Sequence, residues 1–381
     1  MVSKRKTSKF SKRTYTKTRK VLGGVTREEL KNRNNMHKFE YILLPWIPRH
    51  RLDWEGLSRN PNAIDYLTSN WNWLNINWNA LSINPNAIDI LKERNWSEMD
   101  IHWRWQYLSM NPNAIPILEK NLKKVDWATL SMNPNAIHIL ENNFDKINWS
   151  QLSMNPNAIH ILKNNLGKIK WSQLSSNPNA IDLLKNNLDK INWSRLSKNP
   201  NAIPILENNL ESVNWVTVCS NPNPKIIPFL ERNLDFDKLS EDQWKKLSAN
   251  PNAVHILENH LEKVDWKELS ANPNAVPILK SHLENVDFKE LSKNPNAMSI
   301  LKNTDYNLID WKELSENPSI FYRPIDNDSS LNKELEHTFN LKGVDSLLSS
   351  KTPIHYRVPE TTFDLIKGYF GGKRKTTKRR K

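Results

Sequence analysis

The residues of this sequence with the most evident chemistry are two groups of basic side chains, one near each end. Residues 1–20 contain nine Lys or Arg and no acid, and residues 367–381 contain eight and no acid. Such groups neutralise phosphates without reading base sequence, and each phosphate contact adds about −0.9 to the slope of log K against log salt. We predict that they bind nucleic acid or another acidic surface, through Lys4, Arg5, Lys6, Lys9, Lys12, Arg13, Lys17, Arg19 and Lys20 at one end and Lys373, Arg374, Lys375, Lys378, Arg379, Arg380 and Lys381 at the other.

The net charge of the chain belongs to these ends. The chain has 55 Lys and Arg, 41 Asp and Glu and a formal charge of +14. The residues between the two basic segments include 38 Lys and Arg and all 41 Asp and Glu, so this part of the chain carries a net charge of −3. We therefore do not expect the central part of the chain to bind nucleic acid directly. The basic segments also fit a nuclear-localisation signal or a contact with an acidic membrane or protein surface.

Other residue types that could do chemistry do not form a recognisable site. The chain has one cysteine, Cys219, and only eight glycines. No Gly-rich phosphate loop, metal-ligand motif or nucleophile constellation is present. His138, His160 and His255 occupy one variable position of a repeat that elsewhere holds Asp, Pro or Ser, so we predict that they lie on the surface. The sequence predicts no enzyme, cofactor, metal site or small-molecule substrate, no transmembrane segment and no secretion.

The rest of the chain is a repeat. An aromatic residue stands six places before each of twelve Asn-Pro pairs, which begin at residues 60, 84, 111, 133, 155, 177, 199, 221, 250, 272, 294 and 317. The unit reads Trp-x-x-Leu-Ser-x-Asn-Pro-Asn-Ala-Ile-x-Ile-Leu-x-x-Asn-Leu and usually spans 22 residues. A fixed period of this length predicts an array in which each unit packs on its neighbours.

Residue spacing predicts two helices in each unit. Ile159, Leu162 and Leu166 recur with helical spacing, and the turn before them begins Asn155-Pro156. A Pro such as Pro116 is harmless in the first helical turn, so we place the cap of this second helix on the second Asn of the motif. Asp or Asn before the Trp predicts a short first helix.

These features predict an all-α solenoid of twelve short-helix, turn and helix repeats. An open array with units about 8–10 Å apart would be a rod on the order of 100 Å long. The constant Trp is predicted to be the structural core of the repeat, represented by Trp127, Trp149, Trp171, Trp193 and Trp266. A leucine-rich-repeat-like β/α solenoid, with a strand over residues 168–174, is the alternative.

We divide the chain into a basic disordered tail (1–20), an N-terminal cap (21–53), the twelve-repeat solenoid (54–322), a non-repeat segment (323–366) and a second basic disordered tail (367–381). Two irregular units carry extra residues. Because insertions in solenoids often lie in loops on the binding face, Trp96, Trp103 and Phe236 are candidate partner-binding residues.

The motif Leu-Ser-x-Asn-Pro-Asn-Ala-Ile-x-Ile-Leu, as in residues 174–184, is similar to the unit of leucine-rich-repeat-variant α-solenoids. Arrays reading Asp-Trp-x-x-Leu-Ser-x-Asn-Pro-Asn-Ala-Ile more closely resemble a repeat family of large DNA viruses. The resemblance covers roughly residues 40–322. It implies a viral, non-enzymatic repeat protein without catalytic residues to carry over.

Our leading hypothesis is a structural or scaffolding protein of a large DNA virus that is associated with the virion capsid, with a solenoid that bridges protein partners. Its location would be the virion or the infected host cell, in the cytoplasm or the nucleus. One alternative is a host-directed adaptor with nuclear-localising tails. Another is a repeat protein that binds nucleic acid along its array.

Overall fold

The computed structural model describes residues 41–69, 75–92 and 102–323. Twelve units follow one another, each beginning with a short α-helix that we call its first helix. The first helices are Trp54–Arg59, Trp78–Ile83, His102–Met110, Trp127–Met132, Trp149–Leu152, Trp171–Leu174, Trp193–Ser197, Trp215–Val218, Glu241–Ser248, Trp266–Ala271, Phe288–Leu291 and Trp311–Glu316. The all-α solenoid is confirmed.

Eleven units continue into a second helix and a short return segment. The second helices are Ile64–Ser69, Ile88–Lys92, Ile115–Glu119, Ile137–Glu141, Ile159–Lys163, Ile181–Lys185, Ile203–Glu207, Ile226–Asn233, Val254–Glu258, Val276–Ser281 and Met298–Leu301. The 3₁₀ helices are Arg49–Arg51, Pro61–Ala63, Pro85–Ala87, Phe144–Lys146, Leu166–Lys168, Leu188–Lys190, Leu210–Ser212, Phe236–Lys238, Leu283–Asn285 and Pro318–Ile320. Two strands, β1 (Ile42–Leu43) and β2 (Phe321–Tyr322), lie at the two ends of the array.

The strand predicted by the alternative is wrong. Lys168 ends a 3₁₀ helix, and Trp171–Leu174 is an α-helix. Its fourth residue, Leu174, is fully buried, and Ser175 donates a hydrogen bond from Oγ to the carbonyl of Trp171 at 2.8 Å. A side chain that bonds to the carbonyl four residues earlier fits a helical turn and not a strand.

The cap predicted on the second Asn of the motif is also wrong. The side chain of the first Asn accepts the bond instead: Asn177 Oδ1 accepts from the backbone N–H of Asn179 at 3.0 Å. The α-helix begins only at the Ile two residues later, so Pro116 and its equivalents are its second residue. An N–H at that position has no partner within the helix, which is why Pro is tolerated there.

Neighbouring units are joined by the first Asn of each motif. Asn177 Nδ2 donates to the carbonyls of Ser153 and Asn155 in the preceding unit, at 3.1 and 2.9 Å. The second Asn adds a bond, since Asn179 Nδ2 donates to the carbonyl of Pro156 at 2.9 Å. The first Asn is buried in all twelve units, and these side chains form a continuous ladder.

The ladder returns to its starting point. Asn60, in unit one, donates from Nδ2 to the carbonyls of Ser315 and Asn317 in unit twelve, at 3.0 and 2.9 Å. Asn62 donates to the carbonyl of Pro318 at 3.0 Å, as the second Asn does elsewhere. The first helices of units one and twelve pack directly together. The solenoid is therefore a closed ring, and we call this contact the seam.

A two-stranded clasp covers the seam. Strands β1 and β2 pair antiparallel, with Ile42 opposite Tyr322 and Leu43 opposite Phe321. Tyr306 donates from its hydroxyl to the carbonyl of Trp46 at 3.0 Å. The described part of the predicted N-terminal cap therefore packs on the last unit as well as on the first.

The open rod is therefore corrected to a ring. Twelve units at about 8–10 Å each give a circuit of about 100–120 Å, or a diameter through the wall of about 30–40 Å. Buried Leu residues from every unit, such as Leu152 and Leu162, run around this circuit as one continuous core. Closure replaces two exposed array ends with a further interface between units.

Candidate functional site

The first helices form the inner side of the ring. Most of them contact both neighbouring first helices directly, whereas the second helices approach one another less closely. Polar residues on the first helices, such as Ser150 and Gln151, stay half-buried, whereas Lys163 and Asn164 after the second helix are exposed. In a closed ring the more crowded side is the one nearer the axis.

Five consecutive units carry no charge on this inner surface. The residues concerned are the second, third and sixth of each first helix counted from its Trp, in units two to six. They are Asn79, Ala80, Ile83, Gln106, Tyr107, Met110, Ala128, Thr129, Met132, Ser150, Gln151, Met154, Ser172, Gln173 and Ser176, which we call the uncharged arc. Their hydroxyls and amides offer hydrogen bonds without a charge. Five of these side chains, Ala80, Ile83, Met110, Thr129 and Met132, are buried, and the other ten, among them Tyr107 and Met154, are half-buried and form the accessible part of the arc. Charge depletion with Tyr and Met is typical of the centre of a protein–protein interface.

Two amide oxygens of the uncharged arc are without a partner. Asn79 Oδ1 and Gln151 Oε1 are buried and accept no hydrogen bond from the described residues. An unsatisfied buried polar atom costs about 1–3 kcal/mol, so a donor brought by a water molecule or a partner would be favourable at each.

The same positions in the remaining units, apart from unit eight, are mostly charged. They hold nine basic and five acidic residues, namely Arg59, Arg195, Lys198, Lys245, Lys246, Lys267, Lys289, Lys293 and Lys312 with Glu55, Glu268, Glu290, Glu313 and Glu316. Some are paired: Lys312 Nζ lies 2.9 Å from Glu55 Oε2 across the seam. The hydrogen bond from Lys312 lowers the pKa of the Glu55 carboxyl. We call these residues the charged arc.

The outer side carries a belt of partly exposed apolar residues. Among the described residues, six of the eight large apolar side chains that are clearly exposed occupy one repeat position, five residues before the aromatic residue of the next unit. They are Leu122, Phe144, Leu166, Leu188, Leu210 and Leu283. Lysines cover the adjacent Trp rings, as where Lys168 Nζ lies 4.7 Å from the centroid of Trp149. Such cation–π contacts keep the Lys charge in water over an apolar surface.

The repeated Trp residues lie at the edge of the core. Trp127, Trp149, Trp171, Trp193 and Trp266 are each half-buried and pack against the core. The equivalent Trp105 and Trp244 are only 2 % and 3 % exposed. The burial of the repeated Trp side chain thus differs between units, although the residue type is the same.

The three residues predicted in irregular loops are placed differently. Trp96 lies outside the described residues, and of Trp103 the structure gives only its place in the helix His102–Met110. Phe236 is half-buried, with its ring centroid 6.4 Å from Trp244 and 6.1 Å from His260. The role of these three residues in partner binding stays a prediction.

The His position of the second helix joins neighbouring units. His138 lies 2.7 Å from Glu119, His160 2.8 Å from Glu141 and His255 3.0 Å from Glu231. All three His residues are exposed, as predicted, but the pairing with a Glu of the preceding unit was not foreseen. Among the described residues, no group of His, Cys, Asp and Glu could hold a metal ion.

The only cysteine is buried in the structure. Cys219 takes the position held by Ser in the other eleven units, and its Sγ donates to the carbonyl of Trp215 at 3.2 Å. Burial raises the pKa of the thiol to about 12. Cys219 therefore belongs to the architecture of unit eight, since a thiol with this pKa is protonated at neutral pH.

The basic residues at the two chain ends lie outside the described residues. The first and last described residues of the chain, Tyr41 and Arg323, lie at the clasp. Tyr41 comes directly before Ile42, and Arg323 comes directly after Tyr322, the residue paired with Ile42. The chain therefore enters and leaves the ring side by side. The positive charge of Arg323 opposes the rise in the Tyr41 pKa that comes mainly from burial, and the Asp65 carboxylate adds to that rise. In an open rod the two basic segments would be attached at opposite ends.

Sequence reasoning missed the two-part inner surface, although its residues were in view. The second, third and sixth residues of the first helix vary from unit to unit, and their charge changes between units six and seven.

Within the described residues no helix is long and apolar enough to cross a membrane. No family model, curated protein or solved structure matches this chain.

Proposed function

We propose that this chain is a non-enzymatic scaffolding protein, a closed ring that binds protein partners on its inner surface and an acidic partner through its basic ends. The closed ladder of buried Asn side chains carries this proposal, because it makes the ring a stiff frame. The proposal includes a place in the virion of a large DNA virus. That part rests on the resemblance of the repeated motif and on the basic segments.

The uncharged arc is the surface we assign to protein partners. It spans five units without a charge, so a polypeptide can be desolvated against it without leaving a buried unpaired ion. The charged arc, with nine basic and five acidic side chains, would resist the same desolvation. A partner whose surface is neutral and rich in amides and hydroxyls fits the uncharged arc and not the charged arc.

The test is crosslinking mass spectrometry with the full chain in the cells that produce it. Ser172→Lys places a charge in the uncharged arc, and Ser194→Lys places the same charge at the equivalent position of the next unit, beside Arg195. We expect protein crosslinks at units two to six that Ser172→Lys abolishes and Ser194→Lys preserves. Partners that crosslink elsewhere, or that ignore both changes, would overturn the assignment of the arc.

The virion part of the proposal has its own test. Mass spectrometry of purified virions should detect the chain at a level comparable with other minor virion proteins. Its absence from virions, with abundant chain in the infected cell, would instead favour the second candidate, a host-directed adaptor. The uncharged arc suits that candidate as well, because it needs only a protein ligand. For an adaptor, a fluorescent fusion should enter nuclei only while residues 373–381 are present.

A further inference from the structure

The apolar belt follows one edge of the ring. Each return segment joins the end of a second helix to the start of the next first helix, so the return segments lie at the edge opposite the Asn-Pro corners. Neighbouring segments lie side by side, since Lys168 Nζ is 4.8 Å from the ring centroid of Phe144 and 4.7 Å from that of Trp149. We call this edge the return edge, and in units three to ten its residues are 119–124, 141–146, 163–168, 185–190, 207–212, 231–238, 258–263 and 280–285.

A row of apolar side chains runs along the return edge from unit three to unit ten. The exposed residues of the belt supply six of these units, and the half-buried Phe236 and Leu261 supply units eight and nine. Adjacent units are about 8–10 Å apart, so the row is about 60–70 Å long. Because the Asn ladder closes without a step between units twelve and one, the return edge lies near one plane. A long apolar row bordered by charged side chains is typical of an interaction surface.

The charge on the return edge differs between its two halves. In units three to six the return segments carry eight basic and four acidic side chains, namely Lys120, Lys123, Lys124, Lys146, Lys163, Lys168, Lys185 and Lys190 with Glu119, Glu141, Asp145 and Asp189. In units seven to ten they carry four basic and eight acidic side chains, namely Arg232, Lys238, Lys263 and Lys280 with Glu207, Glu211, Glu231, Asp235, Asp237, Glu258, Glu262 and Glu284. The first half therefore has a net charge of +4 and the second half a net charge of −4, with His counted as neutral.

The two halves are complementary when one ring is turned over onto another. A two-fold axis in the plane of the return edge, passing between the return segments of units six and seven, places unit six over unit seven of the second ring. The same axis places units five, four and three over units eight, nine and ten. Exposed basic side chains then face acidic ones, since Lys190 faces the partner's Glu211 and Lys123 faces the partner's Glu284. Each contact occurs twice, as an isologous interface requires.

We infer that two copies of the chain associate through their return edges into a stack of two rings. The apolar row supplies the buried centre of this interface, and the two charged halves determine which units face each other. The inference does not rest on the proposed function, because it uses neither the inner surface nor the chain ends. The Asn-Pro corners lie at the other edge, so the assembly closes at two rings and does not grow into a filament.

The area that such a stack needs from each unit is modest. A stable interface buries about 800 Å² on each partner, which is about 100 Å² from each of the eight return segments. Each segment offers an apolar residue and at least two exposed polar neighbours. An acidic membrane fits this edge less well than a second ring, because the net charge of −4 in units seven to ten opposes its approach.

The experiment measures the dissociation constant of the dimer by analytical ultracentrifugation of the full chain. We expect the native chain to be dimeric at about 10 µM, since interfaces of this size bind with micromolar or tighter affinity. One variant combines Lys123→Glu with Lys190→Glu, and a second combines Glu211→Lys with Glu284→Lys. Each variant places like charges opposite each other at four points of its own dimer, so its dissociation constant should rise at least about 100-fold.

Mixing the two variants separates complementarity from any change in the ring itself. In a dimer with one copy of each variant, two of the four contacts are native and the other two have both charges reversed. Every contact then joins a basic to an acidic side chain, so the mixture should dimerise with nearly native affinity. Asp182→Lys, at an exposed second-helix residue next to the Asn-Pro corner of unit six, is the control. It should leave the dissociation constant unchanged.

The apolar row has its own variant. Leu166 and Leu188 are 52 % and 39 % exposed, so Leu166→Asn combined with Leu188→Asn removes apolar surface from the return edge and little from the core. We expect the dissociation constant of the dimer to rise at least about 10-fold, because the lost apolar area is buried only in the stack. Thermal unfolding of the monomer should be nearly unchanged.

Zero-length crosslinking tests the register of the two rings. Lys123 and Glu284 lie in units three and ten, which are five units apart around the seam and too distant to be joined within one ring. In a mixture of isotope-labelled and unlabelled chains, we expect Lys123–Glu284 crosslinks that join a labelled chain to an unlabelled one.

Several results would overturn the stack. They are a native chain that stays monomeric up to about 100 µM, a dimer that both charge variants leave unchanged, and a mixture of the two variants that stays monomeric. Crosslinks from the return edge to residues 324–366 of the same chain would show that the chain covers its own belt. Binding of a monomeric native chain to phosphatidylserine vesicles through the same residues would assign the edge to a membrane. Each of these results leaves the proposed function standing, because that function is tested at the inner surface and the chain ends.

Discussion

At the scale of single residues, the first Asn of each unit accounts for the joining of neighbours. Asn177 accepts one hydrogen bond inside its own turn and donates two to the unit before it, and it is fully buried. Its neighbour Asn179 is exposed and donates one bond to the preceding unit. The sequence motif revealed that both Asn residues matter, but it suggested the wrong one as the cap.

These two Asn residues give a matched pair of variants. Asn177→Ala removes three hydrogen bonds of a buried side chain and leaves the carbonyl of Ser153 without a partner among the described residues, whereas the carbonyl of Asn155 keeps its bond from the N–H of Ala158. We expect it to lower the free energy of unfolding by about 2–3 kcal/mol. Asn179→Ala exposes its former acceptor to water and should cost less than about 1 kcal/mol. Urea unfolding monitored by Trp fluorescence measures both. Similar midpoints for the two variants would contradict the role given to the buried ladder.

At the scale of elements, the start of each second helix explains why Pro recurs there. Pro116, Pro204 and Pro277 all stand second in their helices, after the 3₁₀ or turn residues that follow the first Asn. Helical spacing in the sequence predicted the existence and order of both helices of the unit. The boundary differed because a 3₁₀ turn at the Asn-Pro corner satisfies backbone groups that the sequence assigns equally well to an α-helix.

This boundary predicts that two Pro substitutions in one helix differ in how much they lower stability. His160 is the second residue of Ile159–Lys163, and His160→Pro should change stability by less than about 1 kcal/mol, including loss of its exposed contact with Glu141. Lys163→Pro, at the end of the same helix, removes a helical N–H donor and clashes with the preceding turn, and should cost about 3 kcal/mol. Thermal unfolding compares them. Equal losses would place the helix start elsewhere.

At the scale of the whole molecule, closure was the feature that sequence reasoning did not predict. A period of 22 residues indicates stacking but not the small rotation between units, which depends on packing of varied side chains at the first helices. Two residues did carry the information. Ser315 and Asn317 are the residue types typical of their positions in the other units, although no unit follows them in the chain. Both form hydrogen bonds with unit one.

Gly56 tests the tightness of the seam. A Cβ added at Gly56 would lie 2.6 Å from the carbonyl oxygen of Lys312 and 2.8 Å from Ser315 Cβ, both in unit twelve. Gly56→Ala should therefore destabilise the seam by about 1–3 kcal/mol, as overpacking generally does. Gly167→Ala, which meets open space, is the control and should be neutral or slightly stabilising. Hydrogen exchange at units one and twelve should rise in the first variant alone, and an equal response in the two would argue against a close seam.

The salt bridge across the seam predicts a modest dependence on pH. Because the folded-state pKa of Glu55 is lowered, mainly by its hydrogen bond from Lys312, its contribution is present above the unfolded-state pKa and is lost as pH falls through the folded one. The pair is partly exposed, so the contribution is at most about 1 kcal/mol. Glu55→Gln should remove that part of the acid sensitivity of stability. An unchanged acid profile in Glu55→Gln would mean that the carboxylate adds nothing to closure.

The most direct test of a closed ring is the distance between units one and twelve in solution. Spin labels at Glu55→Cys and Lys312→Cys, in a Cys219→Ser background that restores the common residue of that position, report this distance by pulsed electron paramagnetic resonance. The closed ring predicts a narrow distribution within about 20 Å, since the labels sit on adjacent units. An open array would separate them by on the order of 100 Å and would contradict the ring.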